Sequence, residues 1–288
     1  MSFSADEQAE IEASRAPLME HLVELRKRLI IVIVAFIAAF LVCFYFAEQL
    51  SLFLLHPFKV ANDIFGSSED HSGGPLALLT ALFEATAAPP DPNADPLRVI
   101  FTAPLEAFFA KLKLAGFGAI VLSFPIIAFQ LYRFVAPGLY RRERNAFLPF
   151  LLAAPVLFTL GAALVYYVML PFVLWFSLSQ QITGAGVEVE LLPRIADYLN
   201  LVTALILAFG LCFQLPVVVT LLGLAGMVSS RALAKGRRYA IVGVFVVAAI
   251  VTPPDPISQM MLAVPIILLY EISIWCVRLI ELRRPKEA

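Results

Sequence analysis

Charge is what this sequence has least of: only 15% of its 288 residues are Asp, Glu, Lys or Arg, where a soluble domain carries about 25%. With 61% hydrophobic residues and a mean hydropathy of +0.88, an ordinary soluble enzyme is excluded. Neither sign of charge dominates. Twenty-one Lys and Arg face 22 Asp and Glu, so no global basic field exists to draw nucleic acid. Cysteine is scarce too. Cys43, Cys212 and Cys276 all lie in apolar stretches, and an odd number without C-x-x-C spacing suggests neither a disulfide framework nor a metal site. The histidines, His21, His56 and His71, are scattered, and no H-E-x-x-H, P-loop or G-x-S-x-G run occurs, so no cofactor and no catalytic residue is expected. The N-terminal segment lacks the basic start and cleavage site of a removable signal peptide.

What the chain does have is long uncharged runs. A bilayer core about 30 Å thick takes about 20 apolar residues of helix. Leu29–Ala47 and Leu114–Tyr132 offer 19 uncharged residues each, Asn145–Val187 offers 43 and Tyr198–Ser230 offers 33. Pro171 and the Thr183–Gly186 run make the second part of the 43-residue run look like an interfacial loop, ending its span near Tyr167–Leu170. Tyr239–Pro254 is short, and Thr252-Pro-Pro-Asp-Pro256 stops any helix before Ile257–Val277 begins, so the C-terminal part reads as a hairpin of two spans. The expected fold is all-α: a polytopic membrane protein with spans at about 29–47, 111–131, 146–170, 198–219, 239–252 and 258–277. An acidic tail (1–17) and an amphipathic surface helix (18–28) precede the spans, a long outer loop covers 48–110, and a basic tail covers 278–288. Sixteen of the 21 cationic residues then fall on one side, which the positive-inside rule makes cytoplasmic, with both termini. Tyr45, Tyr166, Tyr167, Trp175, Tyr198, Tyr239 and Trp275 fall near span ends, where an aromatic belt belongs. Pro125, Pro149, Pro155, Pro216 and Pro265 predict kinked helices in a curved bundle.

Few polar residues remain for function. Glu20 and Glu24 share a helix face with Arg28 four residues beyond Glu24, which is either a surface ion pair or a carboxylate pair offered to a cationic partner. Glu143 stands among Arg141, Arg142 and Arg144 near a Pro137-Gly138 corner, neutralised by its neighbours or serving as a recognition carboxylate. Gln214, two positions before Pro216, is either a functional polar residue facing a cavity or interhelical glue. Broken spans with an intramembrane amide would also suit a small-molecule secondary transporter, although no repeated half of the chain is seen. An intramembrane hydrolase lacks any Ser/His, Asp/Asp or metal pair within the spans.

Three motifs together resemble the TatC family, the receptor subunit of the twin-arginine protein translocase. They are His21-Leu-Val-Glu-Leu-Arg-Lys-Arg28, Phe134-Val-Ala-Pro-Gly-Leu-Tyr140 with Glu143-Arg144, and Thr252-Pro-Pro-Asp255 followed by Pro265 and Tyr270-Glu271. The resemblance implies a non-enzymatic receptor in the bacterial cytoplasmic membrane. It would work with TatB and TatA and with membrane lipid, using the proton-motive force to export folded proteins that carry twin-arginine signal peptides. It places signal-peptide binding on Glu24, Phe134 and Glu143, with Arg26, Gln214 and Asp255 in supporting positions. Many members have Glu where this chain has Gln214, and a neutral amide cannot titrate.

Overall fold

The computed structural model describes residues 5–67, 99–135, 148–184, 187–189, 192–251 and 256–283. Among these, helix α1 covers Ala5–Tyr45, α2 Ala47–Ser67, α3 Glu106–Val135, α4 Leu148–Leu164, α5 Leu170–Leu178, α6 Ile195–Cys212, α7 Leu215–Leu224, α8 Ser230–Val251 and α9 Pro256–Arg283. Among the described residues the bundle is helical apart from one short ribbon, β1 (Ile182–Gly184) antiparallel to β2 (Val187–Val189). Among the described residues, five stretches are long and apolar enough to cross a membrane: Leu22–Tyr45, Glu106–Phe134, Leu152–Leu178, Ile195–Leu224 and Gln259–Leu282.

Helix α1 runs unbroken through the segment expected to lie apart on the membrane surface. No Pro or Gly occurs from Leu18 to Tyr45, so nothing ends the helix at Arg28. The amphipathic stretch is instead the first turns of the spanning rod.

Prolines bend the other spans without stopping them. The third span continues past Pro171 to Leu178 because the helix widens first: Val165–Met169 forms a π turn, and Leu170 N–H bonds to Val165 O. Pro171 then falls in the opening turn of α5, where its missing N–H costs nothing. A similar break at Phe213–Gln214 puts Pro216 in the first turn of α7.

The expected outer loop begins with a helix. Helix α2 buries Leu54, Pro57, Phe58 and Ala61 in the main core. Pro57 offers no N–H to Phe53 O, one helical turn earlier, and the Tyr166 hydroxyl donates to that carbonyl at 2.7 Å. Tyr198 donates to the neighbouring Leu54 O at 2.6 Å, and the Phe53 and Tyr166 rings stack at 4.5 Å. Two tyrosines expected in the aromatic belt are therefore buried staples. Tyr45, Tyr239 and Trp275, 81%, 68% and 65% exposed, keep belt-like positions.

Close packing sets the helix crossings. Gly161 of α4 and Gly210 of α6 face each other's helices: a Cβ on Gly210 would stand 2.5 Å from the Phe158 ring, and one on Gly161 would stand 2.9 Å from Phe209 O. Helices α8 and α9 form an antiparallel hairpin. Its ties are Arg237 to Glu271 (2.8 Å), Tyr270 hydroxyl to Leu233 O (2.9 Å) and Gln259 amide to Phe245 O (3.1 Å). The Glu281 carboxylate accepts from Ser230 N–H and hydroxyl, capping α8 from across the hairpin.

A second core cluster joins Phe124, Ala128 and Tyr132 of α3 to Ala154 and Phe158 of α4 and Val217, Leu221 and Leu224 of α7, with Ile280 of α9 packed against it. It brings the end of α3, the end of α7 and the end of α9 to one end of the bundle. There α7 stops on Gly226 in the left-handed region (φ 72°), with Met227 N–H to Leu222 O and Gly226 N–H to Gly223 O. The end so built carries Arg133, Arg231, Lys235, Arg237, Arg238 and Arg278, and α1 adds Arg26, Lys27 and Arg28 where it lies along α3.

Candidate functional site

At this basic end a groove of about 540 Å³ opens between α1 and α3. Met19, Val23, Lys27 and Ile31, at steps of four along α1, give it one wall, on which Glu24 and Arg28 also lie. Gln130 and Arg133, one turn apart on α3, give it the other. The inward stripe Phe124, Ala128 and Tyr132 fixes α3 against the second cluster and leaves Gln130 and Arg133 facing α1. Met19 and Val23 are each 61% exposed, so the α1 wall offers open apolar surface.

Charge in the groove is uneven. Lys27, Arg28 and Arg133 stand against Glu24, whose carboxylate pairs with the Arg28 guanidinium one turn on. Side-chain exposure is 37% for Glu24 and 14% for Arg28, and the Nε of Arg28 is buried without a hydrogen-bond partner. Arg133 lies over the Phe129 ring, 5.7 Å from its centroid. A carboxylate in an apolar groove on a cationic surface accepts planar donors such as guanidinium. No cluster of His, Cys, Asp and Glu among the described residues would hold a metal.

Residues 20–265 match the family described as Sec-independent protein translocase protein (TatC). The chain belongs to the TatC family. It is 42% identical over 273 residues to a Sec-independent protein translocase protein TatC of Magnetococcus marinus, covering 95% of this chain and 88% of that one. The Escherichia coli K12 TatC is 36% identical over 259 residues, 90% of this chain and 87% of its own. Among solved structures, one titled as the crystal structure of the twin arginine translocase receptor TatC superposes with a TM-score of 0.67 at 32% identity, covering 90% of this chain and 98% of that one. The protein is a multi-pass membrane member of this family, and nothing found favours the small-molecule transporter.

With the TatC family in hand, the expected site residues divide. Glu24 lies in the groove. Phe134 is half-buried at the end of α3, next to Arg133 and off the groove lining. Arg26 is exposed and also off the lining. Glu143 and Asp255 lie outside the described residues, as does the side chain of Glu20. Gln214 is buried at the α6–α7 break, and its amide donates to Ala154 O of α4 at 2.9 Å, which is the interhelical reading of that residue. Sequence reasoning did not single out Gln130, Arg133 or Lys27 as lining residues of the groove, while the Glu24–Arg28 pair was readable from spacing. The recurrence of Met19, Val23, Lys27 and Ile31 at four-residue steps was the available signal.

Proposed function

We propose that the groove between α1 and α3 is part of the surface on which this TatC receives twin-arginine signal peptides of folded cargo. The single observation behind the reading is Glu24, a half-exposed carboxylate beside open apolar surface at the basic end of the bundle. By the positive-inside rule that end faces the cytoplasm, where cargo waits. A guanidinium pairs with a carboxylate as a planar two-donor fork, which a lysine ammonium cannot reproduce, so acids on this face suit an arginine pair. Glu24 supplies one acid, Glu143 supplies a second from the segment that follows α3, and Phe134 packs on the signal residues beside the arginines. Arg26 and Asp255 hold supporting positions, and TatB and TatA are the partner subunits. Helix α8 makes the sixth span alongside the five longer ones. The protein acts as receptor and translocase core driven by the proton-motive force, with lipid around it and no catalytic step.

Replacing the chromosomal copy with Glu24→Gln and following a folded fluorescent reporter behind a twin-arginine signal tests this. Export should fall at least tenfold, the lower bound for about 1.5–3 kcal/mol carried by a charge-assisted contact. Normal export with protein at normal abundance would refute it.

A further inference from the structure

At the opposite end of the bundle from the basic pole, a second groove of about 430 Å³ opens between the first turns of α3 and α6. The backbone ties these two helix starts together, with Ile100 N–H bonded to Pro193 O at 3.3 Å and Ile195 N–H to Ile100 O at 3.2 Å. Glu106 and Lys113, two turns apart on one face of α3, line the groove with Asn200 and Thr203 of α6. Leu105 and Phe109 add exposed apolar surface, and Leu114 and Leu199 add buried apolar surface. By the positive-inside rule this end meets the outer leaflet.

Glu106 is only half satisfied. Its side chain is 6% exposed, and Oε2 accepts from Thr102 N–H (2.8 Å), the Thr102 hydroxyl (3.0 Å), Ala103 N–H (3.1 Å) and the Arg194 guanidinium (3.4 Å). Oε1 is buried and has no hydrogen-bond partner among the described residues. A buried acceptor left in that state is costly, and a ligand N–H would complete it. Lys113 lies seven residues deeper, about 10 Å along the helix. It donates to Asn200 Oδ1 at 3.4 Å, and an ammonium has three donors, so two remain for a ligand anion. Its long stem lets the charge rise toward the headgroup level. We infer that this groove binds phosphatidylethanolamine of the outer leaflet, with the lipid ammonium donating to Glu106 Oε1, the phosphate accepting from Lys113, and the acyl chains running down the apolar wall.

The order of the groups carries the inference. Passing inward from water, the groove presents an acid, then a cation, with apolar side chains alongside and below. An outer-leaflet phosphatidylethanolamine presents ammonium, phosphate and acyl chains in the same order. Phosphatidylglycerol has no cation for Glu106, and the quaternary ammonium of phosphatidylcholine has no N–H to give Oε1. The charges at this corner also balance, Arg194 and Lys113 against Glu106 and Asp197, which suits a zwitterion better than an ion of either sign.

The test offers full-length protein in detergent equal amounts of phosphatidylethanolamine, phosphatidylcholine and phosphatidylglycerol with the same acyl chains, and counts retained lipid by native mass spectrometry. Phosphatidylethanolamine should be retained about fivefold over either competitor, the scale of one charge-assisted hydrogen bond. Glu106→Gln should lower the ethanolamine-to-choline ratio about threefold, because a neutral acceptor holds the ammonium less well. Lys113→Gln, at an exposed position, should reduce retention of both lipids and leave that ratio unchanged, since both carry the phosphate. Glu106 also caps α3, so if Glu106→Gln does not fold, the preference of the unaltered protein and the Lys113→Gln variant decide. Glycerophosphoethanolamine, the same head group without acyl chains, should not displace the lipid at equal concentration. Equal retention of the three lipids, a preference that neither variant alters, or displacement by the chainless head group would overturn the lipid site.

Discussion

At the scale of single residues, several polar side chains among the described residues bond to the backbone of a neighbouring helix. Tyr166 and Tyr198 bond to the Phe53 and Leu54 carbonyls near Pro57, and Glu281 caps α8 through Ser230. Tyr166→Phe and Tyr198→Phe are each expected to cost about 0.5–1.5 kcal/mol. Thermal unfolding in detergent should therefore show a lower Tm for each, and an unchanged Tm for Tyr166→Phe would mean that Phe53 O has another donor. Gln214 belongs to the same class. Gln214→Leu should lose roughly 0.6 kcal/mol, the average worth of an interhelical hydrogen bond in a membrane, while signal-peptide affinity at the groove stays the same. None of these partners could be read from the sequence, since Tyr166 lies 113 positions from Phe53. Glu24 and Arg28 were legible as a pair because they are one helical turn apart.

At the scale of elements, the positions of the spans were legible and their ends were not. Uncharged length located them, but Pro171 looked like a stop, and the π turn that admits it depends on Val165, Tyr166 and Met169 being buried among neighbouring helices. Likewise α2 looked like loop because its apolar face is split by Pro57 and its partners lie far along the chain. The crossings rest on small residues. Gly210→Ala should destabilise the α4–α6 contact by about 1–3 kcal/mol, since its Cβ would overlap the Phe158 ring, and Phe158→Leu should restore much of the loss. A Gly210→Ala protein as stable as the parent would show that α4 and α6 are not held this closely.

At the scale of the whole molecule, charge asymmetry was the most legible feature, and packing gives it a shape. The cluster around Phe124, Phe158 and Leu224 gathers the ends of α3, α7 and α9 at one pole, so cations distant in sequence share one surface. In a variant whose Cys43, Cys212 and Cys276 are replaced, Asn62→Cys should react with an impermeant maleimide in intact cells, and Ser229→Cys only after lysis. The reverse pattern would invert the topology. The groove itself was legible only in its Glu24–Arg28 pair, because its walls need α1 and α3 side by side. Its role as signal receptor is the central claim, and photocrosslinking tests it most directly. With a photoreactive residue at Val23 or Gln130 in the groove, or at Ile272 on the exposed face of α9, a twin-arginine signal peptide should form adducts from the first two positions and not from the third. A Lys-Lys signal should form few from any. Adducts from Ile272 alone, or groove adducts indifferent to the arginine pair, would contradict the account.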